Sequence, residues 1–328
     1  MSSIFLGSPQ QTVLCERFNL LVDYVEQNFS YYKELYRNLE LKHINTLSEI
    51  VEFPLTDKKS EAINCLIHQV LDNNPPAYFE TSGTSGHPFP VIPDFSIDKS
   101  IEFARFISEW LQLDTYRVKR AIVALPFEMN PIGMKYFFAL NHLKITVIPT
   151  GVRTHLCPPQ KVLEIIQRLS PELLVARPLE TLRYAEAMLA QGIDPTQTSI
   201  KKIILTGEII SKSKFKRISE MYGNVDVYGV YGLTEIDSGG LVSCSKYQYH
   251  LPSKPYLIVE LLKDDFKTPI TRKGDIGNLV LTNTHQNYMP LLRYKTGDVG
   301  RLEQSCDCEY NTPVINVLGR YSDAISID

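Results

Sequence analysis

Thr81–Pro88 reads TSGTSGHP, two glycines and four hydroxyl side chains in eight positions, directly after the strand-like PAYFE. Gly83 and Gly86 let the backbone turn its amides inward, while Thr81, Ser82, Thr84 and Ser85 offer hydroxyls to the same centre. That composition suits a loop wrapped around the oxygens of an anion. The spacing is not GxxxxGK[ST], and no lysine follows the second glycine, so this is not the P-loop of the common nucleotide-hydrolysing fold. On its own the segment reads more readily as an ordinary turn. The rest of the chain decides between the two.

Working outward, short β-branched runs alternate with amphipathic stretches from Tyr78 to about residue 230. RAIVAL, ITVIP, LLVA, KIILT and VDVY are strand candidates, and SIEFARFISEWLQL, PQKVLEIIQRL, ETLRYAEAML and KSKFKRISEMY lie between or beside them. The alternation predicts βαβ units and a mainly parallel sheet covered by helices. Before it, LCERFNLLVDYVEQNFSYYKELYRNL carries apolar groups at helical spacing. After residue 240 the helices fade, and YLIVELL, GNLVLT and PVINV, punctuated by KDD and RKGD, predict a smaller antiparallel subdomain. The expected organisation is therefore an α/β large domain over 1–328, with a helical part at 1–77, an α/β part at 78–240 and a β-rich part at 241–328.

Three further segments follow the hydroxyl-glycine loop in order: YGLTE at Tyr231–Glu235, RYKTGD at Arg293–Asp298 and LGRYSD at Leu318–Asp323. The series resembles the adenylate-forming ligases, the superfamily of acyl-CoA synthetases, nonribosomal peptide adenylation domains and luciferases, from about residue 50 to the end. Within it, FPLTDKKSEA at Phe53–Ala62, MPLLRYKTGD and CDCEYNTPVINVLGR are similar to the phenylacetate-CoA ligase family. The resemblance implies helix-covered parallel sheets, ATP and magnesium as cofactors, and CoA as a co-substrate.

Each motif then takes a physical job. YGLTE follows a strand candidate, and open α/β sheets bind ligands beyond the carboxyl ends of their strands. Glu235 is the expected magnesium ligand, since a hard divalent ion bridging phosphates takes carboxylate oxygen. Thr234 is placed to hydrogen-bond the phosphate or acyl-phosphate oxygen, and with Glu235 is the expected catalytic pair. Tyr231 and Gly232 cover the adenine face, and Gly207 and Glu208 in LTGE line the adenine pocket. An acid can accept both ribose hydroxyls, the role the likeness assigns to Asp298, with Arg320 contacting the ribose or phosphate side. Arg293 reads as a surface ion pair.

The implied chemistry is attack of a carboxylate on the α-phosphorus of ATP, giving an acyl-adenylate and pyrophosphate, followed by transfer to the thiol of CoA. Alternatives are loading of an aryl or amino acid onto an acyl carrier protein, or a noncatalytic nucleotide-binding subunit. The acid slot is expected in LPFEMNPIGMKYFFAL, where Phe127, Met129, Met134, Tyr136 and Phe137 suit an aryl or arylacetic acid; an aromatic cluster near a helix is also ordinary core. Glu128 and Asp237 are the acids available to an amino group.

The chain departs from the resemblance in two places. Many members carry a lysine in the phosphate loop, whereas His87 and Phe89 flank Pro88 here. The family also has, beyond a hinge that falls around Asp323, a small C-terminal domain with the catalytic lysine, and the 328 residues end before it. A cut at the hinge, a protein completed by a domain supplied in trans, and a module without catalysis are the three expectations, the first favoured.

Cys306 and Cys308 form a CxC pair, and Cys244 precedes His250 in CSKYQYH; three sulfurs and an imidazole make a structural zinc set. The alternative is buried thiols. With 34 Lys and Arg against 37 Asp and Glu, a net charge of −3 favours neither nucleic acid nor an anionic membrane as partner. No apolar run approaches the roughly 20 residues of a bilayer span, and no signal peptide is legible, so the expected location is cytoplasmic.

Overall fold

The computed structural model describes residues 8–81, 88–113, 117–152, 154–236, 240–251, 257–310 and 312–323. In chain order its helices are α1 (Ser8–Asn28), α2 (Ser30–Leu35), α3 (Ile63–Asp72), α4 (Ile97–Trp110), α5 (Ile132–His142), α6 (Pro159–Leu169), α7 (Pro178–Ala190) and α8 (Lys212–Met221). The strands are β1 (Phe79–Glu80), β2 (Pro90–Val91), β3 (Arg120–Ala124), β4 (Thr146–Pro149), β5 (Leu173–Ala176), β6 (Lys202–Thr206), β7 (Asp226–Tyr231), β8 (Leu241–Ser243), β9 (Tyr249–His250), β10 (Leu257–Leu262), β11 (Ile276–Asn283), β12 (Tyr294–Leu302) and β13 (Ile315–Arg320). Two compact units result: residues 1–94, 235–241 and 249–328 form the first, and 95–234 with 242–248 the second. The N-terminal helices thus share a unit with the β-rich part.

The second unit is the α/β layer that the alternating pattern demands. Its strands lie in the order β4-β3-β5-β6-β7-β8, and β4, β3, β5, β6 and β7 pair in parallel. Every residue of β5 and β6 is buried, the signature of parallel strands covered on both faces. The helices are punctuated locally. Ser96 and Ser211 accept the Lys99 and Lys214 amides to cap α4 and α8, and Pro159 opens α6, which stops at Ser170 in the left-handed region. Between α7 and α8 the buried Tyr222 hydroxyl donates to the Thr181 carbonyl at 2.8 Å.

The first unit is built on an antiparallel sheet in the order β10-β11-β12-β13. The N-terminal helices are tied to it through one tyrosine. Tyr32 on α2, fully buried, donates its hydroxyl to the Pro290 carbonyl at 2.8 Å and accepts the Leu292 amide at 3.3 Å. Thr56 joins the same network, its hydroxyl donating to the Leu292 carbonyl at 2.6 Å, while its backbone pairs in parallel with Tyr294. The segment after Pro54 therefore lies as a short extra strand against the start of β12.

Among the described residues no helix is long and apolar enough to cross a membrane.

Candidate functional site

In the first unit, β1 and β2 pair antiparallel and close the base of the hydroxyl-glycine loop. The Thr81 amide donates to the Phe89 carbonyl, and the Phe89 amide donates back to Thr81 Oγ1, both at 2.9 Å. The Thr81 oxygen is thus used to close the loop, while its proton remains available to an anion. Ser82, Gly83, Thr84, Ser85, Gly86 and His87 lie outside the described residues.

RYKTGD is the beginning of β12 rather than a free loop, and β13 runs beside it with Asp298 opposite Arg320. The Arg320 guanidinium bridges the turn: Nε lies 3.1 Å from Asp298 Oδ1, and Nη1 donates to the Thr296 carbonyl at 2.6 Å. Thr296 Oγ1 accepts the Asp298 amide at 2.9 Å and donates to the Leu279 carbonyl, so two residues of RYKTGD and one of LGRYSD hold one another. Gly297 takes φ of 79°, left-handed backbone that glycine adopts without strain. The Asp298 side chain is only 4% exposed. Sequence reasoning named both Asp298 and Arg320; their pairing depends on strand register.

Glu235 stands in a second cluster of the same unit. Its Oε1 accepts the Tyr294 hydroxyl at 2.8 Å and lies 3.4 Å from Lys58 Nζ. Burial, and then the neighbouring Glu235 charge, push the Tyr294 hydroxyl well above its ordinary range, so it stays protonated and donates. Neither Lys58 nor Tyr294 stood among the expected site residues. The Lys-Lys pair in PLTDKK was visible, but nothing local linked it to a residue 177 positions away.

Lys58 also borders a cavity of about 290 Å³ lined by Asp57, Phe266, Lys295, Gly297 and Arg320 among others. Lys295 lies 3.5 Å from Asp57 and sits over the Phe266 ring at 4.6 Å.

Arg293 corrects the sequence reading. It is not a surface ion pair: its side chain is 2% exposed and its Nη2 donates to Glu260 Oε1 at 2.9 Å, against a carboxylate with no exposure at all. Nη1 donates to the Val51 and Phe53 carbonyls and Nη2 also to the Phe266 carbonyl. A buried charge needs this many partners because each unmet donor would retain its desolvation cost.

A nitrogen-sulfur cluster occupies the edge of the same unit. The donor atoms of His250, Cys306 and Cys308 lie within 4.8 Å of one another, with His250 Nε2 3.3 Å from Cys308 Sγ. His250 Nδ1 is 3.2 Å from the Thr312 carbonyl, a bond that puts the proton on Nδ1 and turns the Nε2 lone pair toward the sulfur. Cys244, buried, belongs to the second unit, where it follows β8 in a turn closed by the Tyr247 amide on its carbonyl. This donor set fits zinc, which favours thiolate and imidazole together.

In the second unit, Tyr231 ends β7, with Gly232 and Thr234 directly after it, and Gly207 and Glu208 directly follow β6. All five therefore sit at the carboxyl ends of parallel strands, where open sheets accept ligands. Gly207 has φ of 83°, and an added Cβ would touch the Arg177 side chain at 3.4 Å. Of the residues expected to line an apolar slot, Phe127, Met134 and Phe137 are half-buried. Tyr136 is fully buried core against Phe103, whereas Met129 is 51% exposed. Asp237 lies outside the described residues.

No family model matches the chain. Among curated relatives, phenylacetate-coenzyme A ligase of Aromatoleum evansii is 23% identical over 304 residues, covering 88% of this chain and 65% of the relative. The enzyme of the same name from Thermus thermophilus is 24% identical over 95% of this chain and 70% of its own. Indoleacetate--lysine synthetase of Pseudomonas savastanoi is 29% identical over 56% of this chain and 45% of its own. The chain therefore spans about two thirds of each phenylacetate-coenzyme A ligase and less than half of the indoleacetate--lysine synthetase. Of solved structures, an open conformation of 2-hydroxyisobutyryl-CoA ligase with 2-HIB-AMP and CoA superposes with a TM-score of 0.80 at 15% identity, covering 100% of this chain and 82% of that one. O-succinylbenzoate coenzyme A synthetase from Bacillus subtilis, in complex with AMP, superposes at 0.53 with 21% identity over 75% of this chain and 62% of that one.

Proposed function

We propose that this chain, similar to phenylacetate-coenzyme A ligases in sequence and to 2-hydroxyisobutyryl-CoA ligase in fold, is the nucleotide- and acid-binding part of an AMP-forming acid-thiol ligase. The observation that carries the reading is the Asp298–Arg320 pair, a nearly buried carboxylate held in place by a guanidinium and by Thr296. A carboxylate so fixed has the acceptor oxygens and the rigidity to accept the two hydroxyls of a free ribose.

In the reaction proposed, a substrate carboxylate oxygen bonds to the α-phosphorus of ATP and the bond to the pyrophosphate oxygen breaks. The protein's work is to hold anions in line and offset charge, since little covalent chemistry falls to side chains. Thr81 and the segment Ser82–Gly86 bind phosphate oxygens through hydroxyls and amides. Thr234 holds the transferring group, Tyr231, Gly232, Gly207 and Glu208 border the adenine, and Asp298 and Arg320 orient the ribose. Glu235 would hold magnesium, which on binding neutralises phosphate charge; a single carboxylate suffices because magnesium keeps most of its ligands as water and phosphate.

Two curated relatives are named for arylacetic acids, phenylacetate and indoleacetate, which supports an arylacetic or aryl acid here. CoA is the acceptor most in keeping with the phenylacetate-CoA ligases, and a carrier protein or a C-terminal domain supplied in trans is the partner to test beside it. A cytoplasmic location accords with those substrates. Cys244, His250, Cys306 and Cys308 belong to the same reading as a structural zinc set, supported by the Nδ1–Thr312 bond that prepares His250 as a ligand. One zinc per chain by metal analysis is the expected result, and less than about a tenth of an equivalent in protein purified without chelator would remove it.

The deciding experiment is acid-dependent ATP–pyrophosphate exchange with aryl, arylacetic, fatty and amino acids, with and without a candidate C-terminal domain or carrier. Exchange stimulated by an arylacetic acid is expected. ATP binding with no exchange in any combination would leave a nucleotide-binding module.

A further inference from the structure

The segment Leu55–Lys59 is held against the start of β12 more firmly than a connection needs to be. The Thr56 amide donates to the Arg293 carbonyl and the Lys295 amide to the Thr56 carbonyl, both at 3.0 Å, so the backbone of Thr56 is clamped on either side of Tyr294. The Thr56 side chain is consumed as well, bonding Leu292 and lying 3.3 Å from the Tyr32 hydroxyl. Two residues on, this clamp delivers Lys58 to Glu235, with the lysine side chain 17% exposed and the glutamate 6%. Tyr294, the residue Thr56 is paired with, donates to the same glutamate oxygen. One short strap thus fixes the position of both groups on Glu235 Oε1.

A lysine ammonium is a compact charge on a flexible stem and is ordinarily left in water. Here it is sequestered on the one carboxylate assigned to a divalent cation. We propose that Lys58 makes Glu235 a nucleotide-dependent cation site: its ammonium occupies the carboxylate and repels a dication in the absence of phosphate, so the cation binds with the nucleotide and not before it. The repulsion follows from charge, since an ammonium and a dication repel twice as strongly as two unit charges at the same distance. Phosphate anions placed beside both cations reverse the balance, giving Lys58 a counter-charge of its own. The inference rests on the reading of Glu235 as the metal-binding carboxylate of an ATP site, and names Lys58 as the positioning residue that sets its loading order.

The test is Mn²⁺ binding to the full chain, followed by electron paramagnetic resonance with and without ATP, with Glu235→Gln defining the signal from this site. Lys58→Met should bind Mn²⁺ alone at least tenfold more tightly than the unaltered protein. With ATP present the difference should shrink or change sign. Lys58→Arg, which keeps the charge, should behave as the unaltered protein, and so should Lys59→Met, which removes the same charge from an exposed neighbour. Should Lys58→Met fold poorly, Lys58→Gln serves the same comparison, and thermal melts separate loss of fold from change of affinity. Equal Mn²⁺ affinity in the Lys58→Met and unaltered proteins, with Glu235→Gln still weakening Mn²⁺ binding in the presence of ATP, overturns the proposal and spares the site. If Glu235→Gln alters Mn²⁺ binding in neither condition, the reading of Glu235 itself is wrong.

Discussion

Arg293 and Glu260 form a fully buried ion pair, with the guanidinium Nε at 3.2 and 3.1 Å from the two carboxylate oxygens and Nη2 at 2.9 Å from Oε1. Burial raises the Glu260 carboxyl, while the arginine acts in the opposite direction. The pair stands at the entry to β12, and the same arginine gathers the carbonyls of Val51, Phe53 and Phe266. It therefore ties the N-terminal segment to the sheet that carries Asp298.

Removing one partner strands the other. Arg293→Met should cost about 3–5 kcal/mol, the usual penalty for leaving a buried charge unpaired. Urea unfolding would show it as a lower midpoint. The double variant Arg293→Met with Glu260→Leu should recover much of the loss, although the orphaned carbonyls keep it below the starting stability. A double variant no more stable than the single one would mean that the carbonyl contacts, not the charge pair, supply the stability.

Asp298→Asn keeps the size of the side chain and removes its charge. Charge-assisted hydrogen bonds contribute about 1.5–3 kcal/mol, so ATP affinity should fall roughly ten- to a hundredfold by calorimetry. The same variant should lose discrimination between ATP and its 2′-deoxy analogue, since the hydroxyl contact is what it weakens. Unchanged discrimination would detach Asp298 from the ribose.

Lys202 supplies a pH dependence that belongs to the α/β unit alone. It is buried in β6, donates to the Leu111 and Gln112 carbonyls just beyond α4 at 2.5 and 3.0 Å, and lies 4.7 Å from the Tyr228 ring. Burial lowers it to about 8, against a small opposing pull from Asp226. Over the window between about 8 and the ordinary lysine value, the unfolded chain holds a proton that the folded chain has released. Stability from this group therefore rises as pH climbs through that window and is lost as pH falls back through about 8. Thermal melts from pH 7.5 to 10.5 should show that rise relative to Lys202→Met, with the substitution itself destabilising because two helix-end carbonyls lose their donor.

Gly277 is required by space. A Cβ there would meet the Leu262 carbonyl oxygen at 2.7 Å and Ile270 Cγ1 at 2.6 Å, forcing β10 and β11 apart. Gly277→Ala should destabilise by about 1–3 kcal/mol, the range for overpacking. Gly232→Ala, with nothing within 4 Å of its added carbon, should leave the melting temperature within about a degree, the scale of a surface change.

The order of motifs, the helix-covered parallel sheet and the antiparallel region after residue 240 were legible in the sequence because each rests on local pattern. Strand-forming β-branched runs, the amphipathic stretches between them and the turn residues after residue 240 act within a few residues of where they stand. What tertiary structure alone decided were relations across long separations. The strand register that sets Asp298 against Arg320, the burial that turns Arg293 from a surface charge into an internal strut, and the clamp that brings Lys58 to Glu235 leave no local trace. A charged side chain looks the same in sequence whether it is solvated or buried, and only the packing of distant backbone carbonyls and carboxylates around it determines which it is.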